Sequence, residues 1–345
     1  MTVRAFITGL GGLTISPSER AFIREAQPWG LIIFKRNVST QKQVTKFVSS
    51  FREAVGWQAP VLVDQEGGRV QRLGPPHWPA YPPGARYGEL YDRQSSAGLA
   101  TARLAGRLLA ADLHALGIDV DCLPLADVPA PSADPVIGDR AYGTEPGKVA
   151  AIAGALAQGL LAGGVLPVLK HLPGHGRARA DSHHTLPVVD TDRATLEATD
   201  FAAFRPLAGL PLGMTAHVVF SSIDPVAPAT TSVTMVREVI RGFIGFHGLL
   251  MSDDVSMNAL SGTIAERSRA AFAAGCDVVL HCNGNLGEMA AVAGEAPVLE
   301  GIPGKRAETA LAQRKAPEEF DVEAARKIFT QMVEAEQPLQ RKTGS

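Results

Sequence analysis

Short apolar runs alternate with longer segments of helical periodicity along most of the chain. The apolar runs predict strands at residues 5–9, 30–34, 60–65, 118–128, 165–171, 212–220, 248–255 and 276–282. Helical patterns lie between them, among others at residues 40–55, 96–116, 146–162 and 192–206. This alternation is typical of βα units around a parallel sheet. About eight units predict an α/β fold, a (β/α)₈ TIM-type barrel, as a single domain over residues 1–340 with a flexible tail at 341–345.

Two local signals refine this picture. Ser16-Pro17-Ser18-Glu19 predicts a helix start, with Ser16 as N-cap and Glu19 completing a capping box, and this helix should end near Pro28. The first turn, GLGGLTIS, lacks the G-x-G-x-x-G spacing of dinucleotide-binding folds, and no acid follows the second strand. A closed barrel is therefore favoured over a doubly wound nucleotide-binding sheet.

Charge and composition narrow the partners. Lys and Arg total 33 against 35 Asp and Glu, a formal net charge of −2, so no basic field recruits nucleic acid or an anionic membrane. Residues 151–169 carry no charge, but Gln158, several glycines and Pro167 predict a helix and a buried strand rather than a membrane span. The start of the chain lacks a convincing secretory signal, and three cysteines without metal spacing suit a reducing compartment, so a cytoplasmic location is expected.

Polar residues collect where the predicted strands end, which is where a barrel carries its active site. Asp64 to Arg69 follow the third strand, Asp127 the fourth, Lys170-His171 the fifth, and Asp253-Asp254 the seventh. Burying so many ionisable groups is expensive unless they meet one another or a polar ligand. The sequence therefore predicts a functional pocket at this rim.

The stretch KHLPGHGRARADSHH, residues 170–184, holds four of the nine histidines and permits two interpretations. His171, His175 and His183 could bind zinc in a metal-dependent barrel hydrolase. However, Pro173 and the neighbouring glycines break any helix that would place His171 and His175 on one face. The favoured interpretation is a mobile loop in which Asp181 orients His183 as a general acid and base.

Across the rim, Asp253 could act as a nucleophile, although its neighbour Asp254 is an alternative because adjacent strand residues face opposite sides. Five further polar residues would supply the paired donors and acceptors that suit a sugar: Asp64, Arg72, Arg140, Lys170 and His171. A carboxylate nucleophile facing a proton donor is the arrangement of a retaining glycosidase, although the usual donor there is a second carboxylic acid.

Five ordered stretches resemble glycoside hydrolase family 3, specifically its bacterial single-domain β-N-acetylglucosaminidases. They are LIIFKRN (31–37), VDQEGGRVQRL (63–73), VIGDRAYG (136–143), KHLPGHG with ADSHH (170–184) and MSDDVSM (251–257). The resemblance covers about residues 5–300. FKRN and KHLPG differ conservatively from the family's FTRN and KHFPG, and neither change removes a charged group.

The resemblance implies a retaining enzyme in which Asp253 forms a covalent glycosyl intermediate and His183, assisted by Asp181, serves as acid and base. Asp64, Arg72, Arg140, Lys170 and His171 would hold the N-acetylglucosamine ring. The implied substrate is N-acetylglucosamine β-1,4-linked to anhydro-N-acetylmuramic acid, with or without peptide, and no cofactor or metal is expected. A monomer is expected. A phosphorolytic enzyme and a catalytically silent sugar-binding protein remain alternatives.

Overall fold

The computed structural model describes residues 2–131 and 133–334, so the predicted tail at 341–345 and the end of the predicted domain lie outside the described residues. The strands are, in chain order, β1 (Arg4–Thr8), β2 (Pro28–Ile33), β3 (Val61–Val63), β4 (Gln65–Gly67), β5 (Val70–Gln71), β6 (Val120–Asp121), β7 (Leu166–Leu172), β8 (Val188–Val189), β9 (Leu212–Thr215), β10 (Val219–Phe220), β11 (Leu249–Asp254) and β12 (Val278–His281). The α-helices are α1 (Pro17–Ala26), α2 (Gln41–Val55), α3 (Gly84–Arg93), α4 (Ser95–His114), α5 (Pro146–Ala162), α6 (Arg193–Ala198), α7 (Ile264–Ala274), α8 (Leu286–Glu295), α9 (Gly301–Leu311) and α10 (Val322–Glu334), and a π-helix spans Met235–Phe243.

Eight strands close into a barrel in the order β1-β2-β3-β6-β7-β9-β11-β12, and every pairing between neighbours is parallel. Alternate strand residues such as Leu62, Val168 and Met251 fill the barrel interior. The opposite strand faces pack against the helices in a larger apolar cluster. The predicted (β/α)₈ barrel is confirmed, and its strand ends form the rim that carries the polar residues.

Helix α1 starts as predicted. The Ser16 hydroxyl accepts from the Glu19 N–H at 3.2 Å, and the Glu19 carboxylate accepts from the Ser16 N–H at 2.8 Å, which completes the capping box. These two hydrogen bonds satisfy main-chain donors that the first turn of a helix leaves unpaired.

The apolar helix α5 is buried between other helices. It packs against α4 at a close approach of two glycines: a Cβ on Gly106 would lie 2.2 Å from the Leu156 carbonyl oxygen, and one on Gly159 would lie 2.1 Å from that of Arg103. The helix ends at Ala162 with Gly163 as its C-cap, and Gly164 follows at a φ of +78° before β7 begins. No helix in the described parts of the chain is long and apolar enough to cross a membrane.

Three predicted elements are shorter than their patterns suggested. The helix predicted at 192–206 ends at Ala198 and is followed by two 3₁₀ turns, at Phe201–Ala203 and Arg205–Leu207. The strand predicted at 118–128 is regular only at Val120–Asp121, and beyond Pro124, which cannot donate a main-chain hydrogen bond, it forms one isolated bridge between Leu125 and Lys170. The strand predicted at 212–220 leaves the barrel after Thr215, and β10 pairs with β8 outside it.

Candidate active site

A pocket of about 510 Å³ opens at the carboxyl ends of the barrel strands. Its lining includes all eight residues that the sequence predicts for catalysis and sugar binding: Asp64, Arg72, Arg140, Lys170, His171, Asp181, His183 and Asp253. Parallel strands of a barrel end at the same rim, so residues far apart in the chain meet there. The structure thus gathers the whole predicted set in one cavity.

Alternating charges form a continuous network along one wall of this pocket. Arg72 Nη2 lies 2.9 Å from Asp64 Oδ2, and Lys170 Nζ lies 3.2 Å from Asp64 Oδ1. Lys170 Nζ also lies 2.6 Å from Glu66 Oε1, and Arg140 donates to both Glu66 oxygens at 2.8 Å. Each charge therefore has an opposite partner, which offsets the cost of removing it from water.

The network holds its members in their charged forms. Burial alone would raise the pKa of Asp64, but the cations of Lys170 and Arg72 outweigh it and lower that pKa. In the same way Arg140 and Lys170 overcome burial and bring the pKa of Glu66 to about 2. Burial would lower the pKa of Lys170, and the carboxylates of Glu66 and Asp64 raise it instead. The wall offers fixed anions and cations at neutral pH.

Arg140 reaches the pocket on a loop that packs against α3, a helix that the sequence analysis did not predict. A Cβ on Gly84 would lie 2.0 Å from the Arg140 carbonyl oxygen, and a Cβ on Gly88 would lie 2.0 Å from that of Tyr142. Arg69 fastens the other side of the loop by donating to the Pro135 carbonyl at 3.0 Å. Only glycine permits this approach at the two helical positions, so α3 fixes where Arg140 stands.

His171 is oriented by a carboxylate behind it. Its Nδ1 lies 2.7 Å from Asp127 Oδ2, and Asp127 is fully buried. The same carboxylate accepts the His175 N–H through Oδ1 at 2.7 Å. Burial opposes ionisation of Asp127, but His171 and the other hydrogen bonds lower its pKa to about 2. Because Nδ1 is occupied, His171 presents its Nε2 to the pocket.

The two adjacent aspartates at the end of β11 have different surroundings. Asp254 accepts from Ser256 N at 2.9 Å and Cys282 N at 3.1 Å through Oδ1, and from the Ser256 hydroxyl at 2.6 Å through Oδ2. Asp253 accepts the Asp254 N–H through Oδ1 at 2.8 Å, and within the described chain its Oδ2 has no hydrogen-bond partner.

Electrostatics keep the Asp253 carboxylate ionised. Burial would raise its pKa, but His217, His171 and the Asp254 N–H together lower it. His217 is held in place by the Thr230 hydroxyl at 2.7 Å and by the Asp254 carbonyl at 3.0 Å. Asp253 therefore combines a negative charge with an oxygen free for another partner.

Asp181 and His183 form a hydrogen-bonded pair at the tip of the loop after β7. His183 Nδ1 lies 2.7 Å from Asp181 Oδ1, which also accepts the His183 N–H at 2.9 Å. The pKa of Asp181 is lowered, because the hydrogen bonds from His183 outweigh its partial burial. The His183 side chain is 62% exposed, so its Nε2 remains available to a ligand.

The base of this loop is anchored, although the sequence predicts a mobile loop. A Cβ on Gly176 would lie 2.1 Å from the Val128 carbonyl oxygen, and the Gly176 carbonyl accepts the Ala130 N–H at 3.0 Å. Arg177 binds Asp200 through Nε at 2.5 Å. Because Asp200 is buried and lies beneath the loop, this ion pair ties the base of the loop to the barrel.

The three histidines proposed as zinc ligands do not converge. His171 Nδ1 contacts Asp127, His175 Nε2 contacts the Ser182 hydroxyl at 3.0 Å, and His183 Nδ1 contacts Asp181. Among residues 2–131 and 133–334, no group of three or more His, Cys, Asp or Glu side chains is arranged to hold a metal ion. The donor geometry favours the acid and base interpretation of the loop.

Two buried carboxylates belong to the site although the sequence analysis assigned them no role. Glu66 joins Lys170 to Arg140, and Asp127 joins His171 to His175. Both stand at predicted strand ends, which was the available signal. A strand-end position alone does not reveal whether an acid faces solvent, a substrate or a cation.

Comparisons with known proteins agree with this geometry of a carboxylate-lined barrel rim. The glycosyl hydrolase family 3 N-terminal domain matches residues 3–312. A β-hexosaminidase of Bordetella avium is 38% identical over 278 residues, 79% of each chain, and one of Alkalilimnicola ehrlichii is 38% identical over 289 residues, 82% of each chain. The solved structure of NagZ from Neisseria gonorrhoeae in complex with N-trifluoroacetyl-D-glucosamine has a TM-score of 0.84 at 30% identity and covers 96% of this chain and 97% of that chain.

The barrel and its rim are those of a glycoside hydrolase. The chain belongs to glycosyl hydrolase family 3, in agreement with the resemblance carried by its five motifs. The curated relatives at 37 to 39% identity are bacterial β-hexosaminidases, which is the group that the motifs predict.

Proposed function

We propose that this glycoside hydrolase is a retaining β-N-acetylglucosaminidase that removes terminal β-1,4-linked N-acetylglucosamine from anhydromuropeptide fragments of the cell wall. The names of its relatives support the sugar, since they are β-hexosaminidases and one solved neighbour binds N-trifluoroacetyl-D-glucosamine. The proposal includes action in the cytoplasm, where such fragments would be recycled, and a monomeric state.

One observation carries the mechanism: an ionised aspartate with a free oxygen and an oriented histidine line the same pocket. In the first step, Asp253 Oδ2 attacks the anomeric carbon while the glycosidic C–O bond breaks and His183 gives its proton to the leaving oxygen. In the second step, water attacks the anomeric carbon, His183 takes the water's proton, and the bond to Asp253 breaks. Asp181 stabilises the protonated ring through Nδ1, which leaves Nε2 to transfer the proton.

The charged wall would hold the sugar for this attack. Asp64 can accept hydrogen bonds from sugar hydroxyls, while Arg72, Arg140, Lys170 and His171 can donate to hydroxyl oxygens or to the acetamido carbonyl. Hydrogen bonds to charged groups are about twice as strong as neutral ones. Because Glu66 and Asp127 fix the cations and the imidazole beforehand, little ordering is required when the sugar binds.

Turnover and covalent trapping test the proposal. Wild-type protein should hydrolyse a chromogenic N-acetyl-β-glucosaminide at a rate independent of added phosphate, and Asp253→Ala should lower kcat on the order of 10⁴-fold or more. A fluorinated N-acetylglucosaminyl fluoride should label Asp253, located by mass spectrometry of the digested protein.

Three results would contradict parts of this proposal. A label on Asp254 would overturn the nucleophile, and a phosphate-dependent rate would indicate phosphorolysis. The absence of turnover by the wild type would leave a sugar-binding protein. For the natural substrate, N-acetylglucosaminyl-anhydro-N-acetylmuramic acid should be cleaved with a higher kcat/KM than chitobiose.

A further inference from the structure

Ser182, between Asp181 and His183 at the loop tip, is the residue of this segment that turns inward. Its exposed fraction is 3%, whereas the side chains of Asp181, His183 and His184 are 28%, 62% and 79% exposed. A small polar residue buried between two more exposed ones needs a hydrogen-bond partner inside the protein.

That partner is His175 at the base of the same loop. The Ser182 hydroxyl lies 3.0 Å from His175 Nε2, and the Ser182 carbonyl accepts the Ala259 N–H at 3.3 Å. The first contact joins the loop tip to the base of the loop. The second joins the loop tip to the segment that follows β11, the strand that carries Asp253. Ser182 is therefore attached to the elements on both sides of the pocket.

His175 is itself held firmly. It is buried, its N–H donates to Asp127 Oδ1 at 2.7 Å, and its ring packs edge-on against His171 with centroids 5.8 Å apart. Burial and the neighbouring His171 lower the pKa of His175 to about 4, so the ring is neutral at physiological pH. A neutral, fixed imidazole suits a hydrogen-bonding support and not a proton donor to substrate.

We propose that Ser182 is a positioning residue: the hydrogen bond between its hydroxyl and His175 fixes the loop tip so that His183 faces the reacting bond. The inference rests on the proposed function, in which His183 transfers the proton. Without the hydroxyl, the tip samples other positions, and the fraction of molecules with His183 correctly placed falls by about two- to tenfold, the worth of one hydrogen bond.

The test uses aryl N-acetyl-β-glucosaminides whose phenols differ in pKa. Poor leaving groups require protonation and good ones do not. In Ser182→Ala, kcat/KM should fall about two- to tenfold for the poorest leaving groups and stay nearly unchanged for the best, which gives a steeper dependence on leaving-group pKa. Ser182→Thr, which keeps the hydroxyl, should restore the wild-type dependence. His183→Ala is the reference and should show the same pattern with larger losses.

The results separate the inference from the function beneath it. His175→Phe, which keeps an aromatic ring but removes the nitrogen that contacts Ser182, should steepen the dependence as Ser182→Ala does. Normal wild-type turnover with an equal loss on every substrate in Ser182→Ala, or a Thr variant that behaves like the Ala variant, would overturn the positioning role alone. Absence of wild-type turnover, or equal losses on all substrates in His183→Ala, would instead overturn the proposed mechanism and the inference with it.

Discussion

Both ends of the barrel carry aspartates that are paired with two cations, but at one end the ion pairs are closed within the protein and at the other they line a pocket. At the amino-terminal ends of the strands, Asp277 pairs with Arg241 and Arg306, each at 2.8 Å, and accepts the Leu250 N–H at 2.9 Å. Asp119 is held similarly by two arginines, Arg52 and Arg314. At the carboxyl-terminal rim, Asp64 is also held by two cations, but these charges line an open pocket.

A structural ion cluster and a binding site differ in how many of their polar atoms already have hydrogen-bond partners. At the amino-terminal end of the barrel, here called the base of the barrel, arginines and a main-chain N–H occupy both oxygens of Asp277, and its exposed fraction is 3%. At the rim, one oxygen of Asp253 has no hydrogen-bond partner among residues 2–131 and 133–334. Ion pairs alone do not identify function; unused hydrogen-bonding capacity facing a cavity does.

The largest expected effect is a loss of stability from a substitution at the base of the barrel. Asp277→Asn leaves Arg241 and Arg306 without their counter-charge and should lower the free energy of unfolding by about 3 kcal/mol. Because the change is far from the rim, kcat/KM at low temperature should stay within about twofold of the wild type. Denaturant unfolding and steady-state kinetics measure the two quantities.

Asp119→Asn is the matched control, because Asp119 also pairs with two arginines but its side chain is more exposed, at 14%. It should lose less stability than Asp277→Asn. A large loss of activity in either folded variant would break the distinction between the two ends.

A smaller effect of opposite kind is expected at the rim. Under the proposed function, Asp64→Asn would remove the charge that accepts from sugar hydroxyls, and it should lower kcat/KM about 10- to 100-fold, the worth of a hydrogen bond to a charged group. Stability should change by less than in Asp277→Asn, because water in the pocket can solvate Arg72. Asp139→Asn, which breaks only the exposed pair with Arg69, serves as control and should have little effect on either quantity.

The effect that is smallest at neutral pH, and that grows only on acidification, is a pH dependence that arises behind the rim. The pKa of His175 is about 4 in the folded protein and near 6.5 in an unfolded chain, so the unfolded state binds more protons between these values. The stability that His175 contributes is present above about pH 6.5 and is lost as the pH falls towards 4. This one group changes the unfolding free energy by at most about 1.4 kcal/mol per pH unit.

Denaturant unfolding of the wild type and of His175→Gln between pH 7 and 4 measures this contribution. The variant should show a shallower loss of stability on acidification. Equal slopes for the two proteins would mean that His175 is not buried in its neutral form. Glu66 and Asp127, whose pKa values are both about 2, lose their contributions to stability in a lower window, as the pH falls towards 2.

The barrel, and the meeting of the predicted site residues in one pocket, could be predicted because both depend on local patterns. Strand periodicity places residues at strand ends, and parallel strands bring those ends together. What remained hidden depends on contacts across the fold. The pairs Arg177–Asp200 and Glu66–Arg140 could not be predicted, because spacing in the sequence does not show which distant residues come into contact in the fold.

Helix α3 shows the same limit for secondary structure. Gly84 and Gly88 weaken a helical pattern, since glycine is a poor helix former. These two glycines allow the helix to approach the loop of Arg140 closely, and local helix propensity does not predict that contact. The cis peptide between Lys170 and His171 likewise has no counterpart in any sequence pattern.

The arginine pairs at the base also bear on where the smallest autonomously folding piece of this chain ends. Arg306 lies in α9 and Arg314 follows it, both beyond the last barrel strand. A fragment that stops after the eighth βα unit would keep every residue of the pocket yet lose one guanidinium from each basal carboxylate. The family match itself ends at residue 312, just short of Arg314. The residues that line the pocket and the ion pairs that support the opposite end of the barrel therefore end at different places in the chain.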